Sequence, residues 1–349
     1  MKVGIVTLPL HFNYGGILQA FALQETVKML GADPFIIIES HNSAKQILKS
    51  FLYKRTSTYK FIKTNIACLK LTAPFICREL EKRNIGVLLV GSDQVWRPDM
   101  GADRENNIDR YFLRTDKTNI IKKIAYAASF GVDNWLFTDI ETTVVKSLTN
   151  DFTAISVREI SGLKLCSQYL SLENVMQVLD PTMLIDIGKY KKLMLSSPFK
   201  TKSSHSFVYL LDYDSAINKK IVEACIPKES ELLLARVERN VLKKYLNVDK
   251  RVEWWLSAIY NSDIVITDSF HGCVFSILFH KDFYVMSNTA GGNTRIQTLL
   301  SLFGLNNRLI KDVDCMSYKK EFIDWETIDL KLHEMKEKSI TYLQKALKQ

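Results

Sequence analysis

Apolar and polar positions follow two rhythms along this chain. Val3 to Leu8 is a β-rich apolar run, Ile17 to Leu30 has the three-and-four spacing of a helix that Gly31 stops, and Pro34 to Glu39 is apolar again. The first forty residues therefore predict a βαβ unit. Buried-strand runs follow at Gly86 to Gly91, Ile120 to Ser129, Phe152 to Val157 and Val175 to Leu179, with helical patterns at Thr138 to Thr149 and Glu159 to Tyr169 between them. They predict one parallel α/β domain over residues 1–190. The stretch Lys189 to Ser206 is rich in Lys and Ser, carries Pro198 and has little periodicity, as a domain junction would.

The grammar then restarts. Strands are expected near Phe207 to Leu211, Leu232 to Ala235, Ile264 to Thr267 and Phe283 to Met286. Helices are expected near Ala216 to Cys225, Val252 to Asn261, Cys273 to Phe279 and Arg295 to Phe303. This predicts a second α/β domain over 205–325, followed by a helix over 326–349. Two such domains would set the carboxyl ends of two parallel sheets around one cleft, so the strand-to-helix loops are where chemistry is expected.

The chain has 349 residues, 47% of them hydrophobic and 24% charged, which is the make-up of an ordinary globular protein. Apolar runs such as Phe35 to Ile38 and Val87 to Val90 fall far short of the roughly 18 residues of a membrane helix. The apolar stretch after Lys2 is too short for a signal peptide, so a cytoplasmic location is expected. The six cysteines are widely spaced and form no C-x-x-C pair, which favours buried thiols over a metal ribbon. The net charge of +9 is concentrated between Asn42 and Asn84, where ten basic residues face only Glu79 and Glu81. Lys45, Lys49, Lys60 and Lys63 interleave there with Ile47, Leu48, Phe51, Leu52, Phe61 and Ile62. Either a solvated face packed on the domain or a peripheral contact with the inner membrane face fits that pattern. No nucleic-acid motif accompanies the charge.

Four loops carry candidate chemistry. Asn13, Tyr14, Gly15 and Gly16 open the first helix, where free N–H groups suit an anion, or simply form a glycine turn. Ser92, Asp93, Gln94 and Trp96 follow the Val87–Val90 strand and suit sugar hydroxyls; the alternative is a capping Asp and a core Trp. Arg158 follows the next-but-one strand, as a two-pronged anion clamp or as a salt bridge to Glu159 or Asp180. Asp268, Ser269, His271 and Gly272 end a strongly apolar strand where a helix begins, which makes His271 the leading general acid and Asp268 the neighbouring carboxylate that would keep it protonated. Arg295, after Gly291 and Gly292, is a further anion ligand or a surface residue. Asp212 and Asp214 are read as helix-start charges in preference to metal ligands.

Taken in order, these motifs resemble the polysaccharide pyruvyl transferase family from about Lys2 to Ile310. The matching elements are Asn13-Tyr-Gly-Gly16 with Leu18-Gln-Ala20, Val90-Gly-Ser-Asp-Gln-Val-Trp96, Ala125-Tyr-Ala-Ala-Ser-Phe-Gly131, Ser156-Val-Arg-Glu159, Leu179-Asp-Pro181, Thr267-Asp-Ser-Phe-His-Gly272, and Arg295 with Leu299-Leu300. The resemblance implies two Rossmann-like domains in a GT-B-like arrangement. It also implies transfer of a pyruvyl group from phosphoenolpyruvate to a sugar as a cyclic ketal, with units of surface polysaccharide, often lipid-linked, as acceptors. His271 matches the family histidine and Arg158 its N-domain arginine. Family members commonly carry an arginine two residues before the histidine. Ser269 stands there in this chain and is expected to contact the substrate, and Arg295 is the residue expected to replace the missing cation. The reaction needs an acid, anion clamps and a hydroxyl-binding surface, but in principle no metal or organic cofactor. The alternatives are a GT-B-like glycosyltransferase that uses a nucleotide sugar, and a non-catalytic binding module.

Overall fold

The computed structural model describes residues 1–39, 52–71, 75–100, 104–117, 120–196, 201, 204–211, 216–227, 229–236, 251–287, 293–310 and 322–349. The chain divides into two compact units. The first holds Met1–Phe51, Phe61–Ile185 and His333–Gln349, and the second holds Leu52–Lys60 and Asp186–Leu332.

The first unit is built on seven parallel strands: β1 (Lys2–Val6), β2 (Asp33–Glu39), β3 (Cys68–Leu71), β4 (Ile85–Gly91), β5 (Lys122–Ala128), β6 (Phe152–Val157) and β7 (Met176–Gln177), in the order β3-β2-β1-β4-β5-β6-β7. Helix α1 (Tyr14–Met29) follows β1, and buries residues along most of its length. It lies close against β4: a Cβ on Gly91 would sit 2.3 Å from Leu23 Cδ2, so no larger residue fits there. The run Val87 to Val90 is fully buried, as a parallel strand covered on both faces should be. Helix α2 (Ser57–Asn65) turns Phe61 and Ile62 inward, at 2% and 6% exposure, and Lys60 and Lys63 outward. These two apolar residues of the basic segment therefore belong to the core. Ile47, Leu48 and Phe51 lie outside the described residues.

Three further helices, α3 (Cys77–Lys82), α4 (Arg104–Tyr111) and α5 (Asp139–Thr149), precede α6 (Ile160–Leu170). Helix α5 starts with a reciprocal cap in which Thr138 and Glu141 each satisfy the other's backbone N–H. Strand β5 carries a bulge at Ala127, whose φ is 52°. Ser156 Oγ patches it by accepting from Ala127 N–H (3.1 Å) and donating to Ala125 O (3.0 Å).

The second unit has five parallel strands, β8 (Ser206–Leu210), β9 (Leu232–Arg236), β10 (Ile264–Thr267), β11 (Asp282–Met286) and β12 (Leu309–Ile310), in the order β12-β11-β10-β8-β9. Its helices are α7 (Ile187–Leu195), α8 (Ala216–Cys225), α9 (Val252–Tyr260), α10 (Phe270–Leu278) and α11 (Asn293–Leu302). Helix α7 occupies part of the stretch whose sequence reads as a junction. Helix α10 starts three residues before the sequence pattern predicts, because Ser269 caps it by accepting from Gly272 N–H. His271 is thereby placed in a first helical turn.

The long helix α12 (Trp325–Lys348) ends the chain. Its C-terminal part belongs to the first unit, where Ser339 Oγ accepts from Leu179 N–H (3.0 Å), Tyr342 donates to Ala125 O (3.3 Å) and Leu343 is fully buried. Cys77, Cys166, Cys225 and Cys273 are buried free thiols, whereas Cys68 is exposed. Among the described residues no helix is long and apolar enough to cross a membrane.

Candidate active site

Each sheet has one place where the strand order reverses and neighbouring loops turn away from each other, the crevice in which open α/β sheets take ligands. In the first unit it lies between β1 and β4, and in the second between β8 and β10.

At the first of these, Asn13 caps α1 by accepting from Gly16 N–H (3.1 Å). A Cβ on Gly16 would lie 3.3 Å from both Asn13 Nδ2 and Asp93 Oδ2, so the loops after β1 and β4 meet here. A carboxylate thus stands beside the helix start where the sequence suggests an anion, and it disfavours a second negative charge there. Burial pushes the Tyr14 phenol up, so it stays a proton donor. Ser92 and Asp93 hold left-handed backbone angles, φ 20° and 68°. Ser92 Oγ donates to Asp180 Oδ2 (2.8 Å), and Arg158 reaches the same oxygen at 2.5 Å and Ser92 Oγ at 3.4 Å. Asp180 in turn caps the short turn at Pro181 through Thr182.

Two residues here take the structural contacts that their sequence positions also allowed. Arg158, 5% exposed, is engaged by Asp180, the salt bridge that its sequence position also allowed. Trp96 is a core residue: it stacks on Phe112 with centroids 5.1 Å apart and its indole N–H donates to Tyr111 O, which removes it from any sugar-binding surface. Gln94 stays in the loop, holding Arg97 at 3.1 Å and filling the space that Gly131 leaves.

At the second crevice, Asp268 Oδ1 accepts from Leu211 N–H (2.7 Å) and so ties the loop after β10 to the loop after β8. Thr267 donates to Tyr209 O (2.7 Å) and accepts from Ser269 N–H (3.1 Å). Ser269 caps α10, a structural role beside the substrate contact expected of it. Gly272 lets α10 approach β10, since a Cβ there would lie 2.3 Å from Thr267 Oγ1. The His271 ring, 5% exposed, meets Phe270 edge-on with centroids 5.2 Å apart, and the Arg295 guanidinium lies over the other ring of that pair, 5.9 Å from the Phe270 centroid. Arg295, His271 and Asp268 are thus gathered at one crevice. Burial pushes the Cys273 thiol up, which disfavours its thiolate. Gly291, Gly292, Asp212 and Asp214 lie outside the described residues.

Sequence reasoning gives no role to Gln19 on α1, Glu159 after β6, or Glu253 in the first turn of α9, whose carboxyl burial pushes up. Glu159 is in a matched motif, and only the fold shows that it binds Phe130 and Gly131 N–H. Among the described residues no group of three or more His, Cys, Asp or Glu side chains could hold a metal ion.

The sequence pattern of the polysaccharide pyruvyl transferases matches residues 13–289. The chain belongs to the polysaccharide pyruvyl transferase family. Both crevices of this family member, apart from Arg295, fall inside the matched span. No curated protein matches the chain. Among solved structures it is similar to UDP-GlcNAc 2-epimerase from Neisseria meningitidis bound to UDP-GlcNAc, at 12% identity and a TM-score of 0.52, over 98% of this chain and 94% of that one. It is also similar to UDP-GlcNAc 2-epimerase from Methanocaldococcus jannaschii, at 11% identity and a TM-score of 0.50, over 96% and 92%. At such identities the likeness is one of fold: an α/β, GT-B-like class with parallel sheets and a C-terminal helix.

Proposed function

We propose that this family member transfers the pyruvyl group of phosphoenolpyruvate to two hydroxyls of a sugar in a surface-polysaccharide precursor, forming a ketal and releasing phosphate. The observation that supports it is the placing of His271 in the first turn of α10 at the second unit's crevice, with Arg295 over the adjoining Phe270 ring. His271 gives a proton to the methylene carbon, using the π pair of the enol, and leaves a cation-like centre at the neighbouring carbon. One sugar hydroxyl bonds to that carbon and gives up its proton. The carbon–oxygen bond to phosphate then breaks, and a second hydroxyl closes the ring with loss of its proton. Arg295 offsets the negative charge of the donor. Neither a metal nor an organic cofactor is required by this scheme. The polypeptide would act at the cytoplasmic side, where lipid-linked precursors present their sugars.

The test is a panel of glycosides incubated with phosphoenolpyruvate in D2O. The expected product carries one deuterium in the ketal methyl group, with one phosphate released per ketal. Release of nucleoside diphosphate from a nucleotide sugar, with phosphoenolpyruvate untouched, would replace this reading with the glycosyltransferase alternative.

A further inference from the structure

At and beside the first unit's crevice, three buried side chains present oxygen acceptors, and Arg97 and Arg158 are each held by a carboxylate. Asp93 is 4% exposed; among the described residues its Oδ1 accepts a short local bond from Gln94 N–H (2.9 Å), and its Oδ2 faces Gly16. Gln19 is fully buried. Its amide nitrogen donates to Thr7 Oγ1 and Gly16 O, both at 2.9 Å, which places the carboxamide where β1 ends and α1 begins, and its Oε1 has no partner among the described residues. Glu159, 1% exposed, spends Oε1 on Phe130 and Gly131 N–H, while Oε2 has no partner among the described residues. Arg97 is held by Asp99 at 2.7 and 3.0 Å and by Gln94, and Arg158 by Asp180 and Ser92. Buried acceptors lacking a donor are costly, and carboxylates disfavour a second anion. A ligand that brings hydroxyl donors and no charge answers both conditions.

We propose that the first unit's crevice binds the hydroxyls of the sugar acceptor, with Asp93 as the accepting side chain, and that Arg158 is a positioning residue for that loop and not a clamp on phosphoenolpyruvate. The proposal rests on the pyruvyl-transfer reading for the identity of the sugar as acceptor. The geometry gives Arg158 its task. Ser92 and Asp93 adopt left-handed angles that side chains disfavour, and the bonds from Ser92 to Asp180 and from Arg158 to both keep the turn in place. Gly131, which leaves room for the Gln94 side chain, supports the loop from its other side.

The experiment compares wild type, Asp93→Asn, Ser92→Ala and Arg158→Lys in two binding measurements. Saturation-transfer NMR follows methyl glycosides of galactose, glucose, mannose and N-acetylmannosamine, and calorimetry follows phosphoenolpyruvate. Wild type is expected to bind at least one glycoside. Asp93→Asn should weaken that binding about 10- to 100-fold, the usual effect of losing hydrogen bonds to a charged group, and leave phosphoenolpyruvate affinity within about twofold. Ser92→Ala and Arg158→Lys should act in the same direction, on the glycoside alone. Should Arg158→Lys fail to fold, Ser92→Ala asks the same question of the brace with the ion pair intact. No glycoside binding by wild type, unchanged glycoside binding in Asp93→Asn, or a tenfold loss of phosphoenolpyruvate affinity in folded Arg158→Lys overturns the proposal. If wild type binds glycosides through Asp93 yet neither binds nor consumes phosphoenolpyruvate, this site stands and the transfer reading falls.

Discussion

Adding one methyl group at Gly272 should disable the second crevice. A Cβ built there lies 2.3 Å from Thr267 Oγ1 and 3.0 Å from Thr267 Cβ and Cγ2. Thr267 cannot swing aside cheaply, because it is fully buried and its hydroxyl bonds Tyr209 O and Ser269 N–H. Restoring an ordinary contact needs a shift of about 1 Å in α10 or the loss of those bonds. Overpacking of this kind costs about 1–3 kcal/mol and each hydrogen bond about 1 kcal/mol. The better helix propensity of alanine returns about 1 kcal/mol. The net loss should be about 2–4 kcal/mol, read as a lower urea midpoint. Activity should suffer more than stability, since His271 is the adjacent residue and a 1 Å misplacement costs about 100-fold in turnover. Combining Gly272→Ala with Thr267→Ala removes the two closest obstructions, Oγ1 and Cγ2, apart from Cβ. The pair should therefore lose less stability than the sum of the single variants. Wild-type urea midpoint and phosphate release in Gly272→Ala would refute this account of why a glycine follows the histidine.

His271→Gln should fold, bind phosphoenolpyruvate and release phosphate about 10²–10⁴-fold more slowly; near-normal turnover would make the ring structural. The Glu141 carboxyl, held chiefly by its bond to Arg104 at 2.5 Å, is lowered from 4.5 to about 2. Because its folded value lies below its unfolded one, the stabilisation is present above pH 4.5 and is lost as pH falls toward 2. Glu141→Gln should accordingly be less stable than wild type at pH 6, with the gap much reduced at pH 2.5 by urea titration, and a gap that does not narrow with acid would contradict the assignment.

How much of this was legible in the sequence depends on what each element buries. Strand β4 stands out because a parallel strand covered on both faces reads as one apolar run, and β10 is legible for the same reason. Strand β3, only Cys68–Leu71, has one fully buried side chain and a lysine in it, so the charge of its surroundings masks it. Helix α4 buries just Ile108 and Tyr111, and is anchored by Arg104 to Glu141 and Arg110 to Glu39, partners far off in sequence. Three lysines and a glycine hide α7, whose inward residues are Tyr190 and Leu193. At the sites, a residue's place at a strand end is readable whereas its partner is not. Arg158 could be put after β6, but which of Glu159 and Asp180 engages it is a matter of how the loops close. The role of Gln19 is set by its contact with Thr7, across the β1–α1 turn, and no spacing rule announces it.

The first unit is assembled from segments far apart in sequence, since His333–Gln349 is translated after all of the second unit's residues. Leu179 N–H and the bulged carbonyl of Ala125 wait for Ser339 and Tyr342, and Leu343, Ala346 and Leu347 complete the packing. The N-terminal unit therefore finishes folding after the C-terminal one has been synthesised in full, and a nascent chain stalled before His333 holds an unfinished first sheet. A cut at Ile185 would not release an independent N-terminal domain unless the closing helix were supplied as a separate peptide.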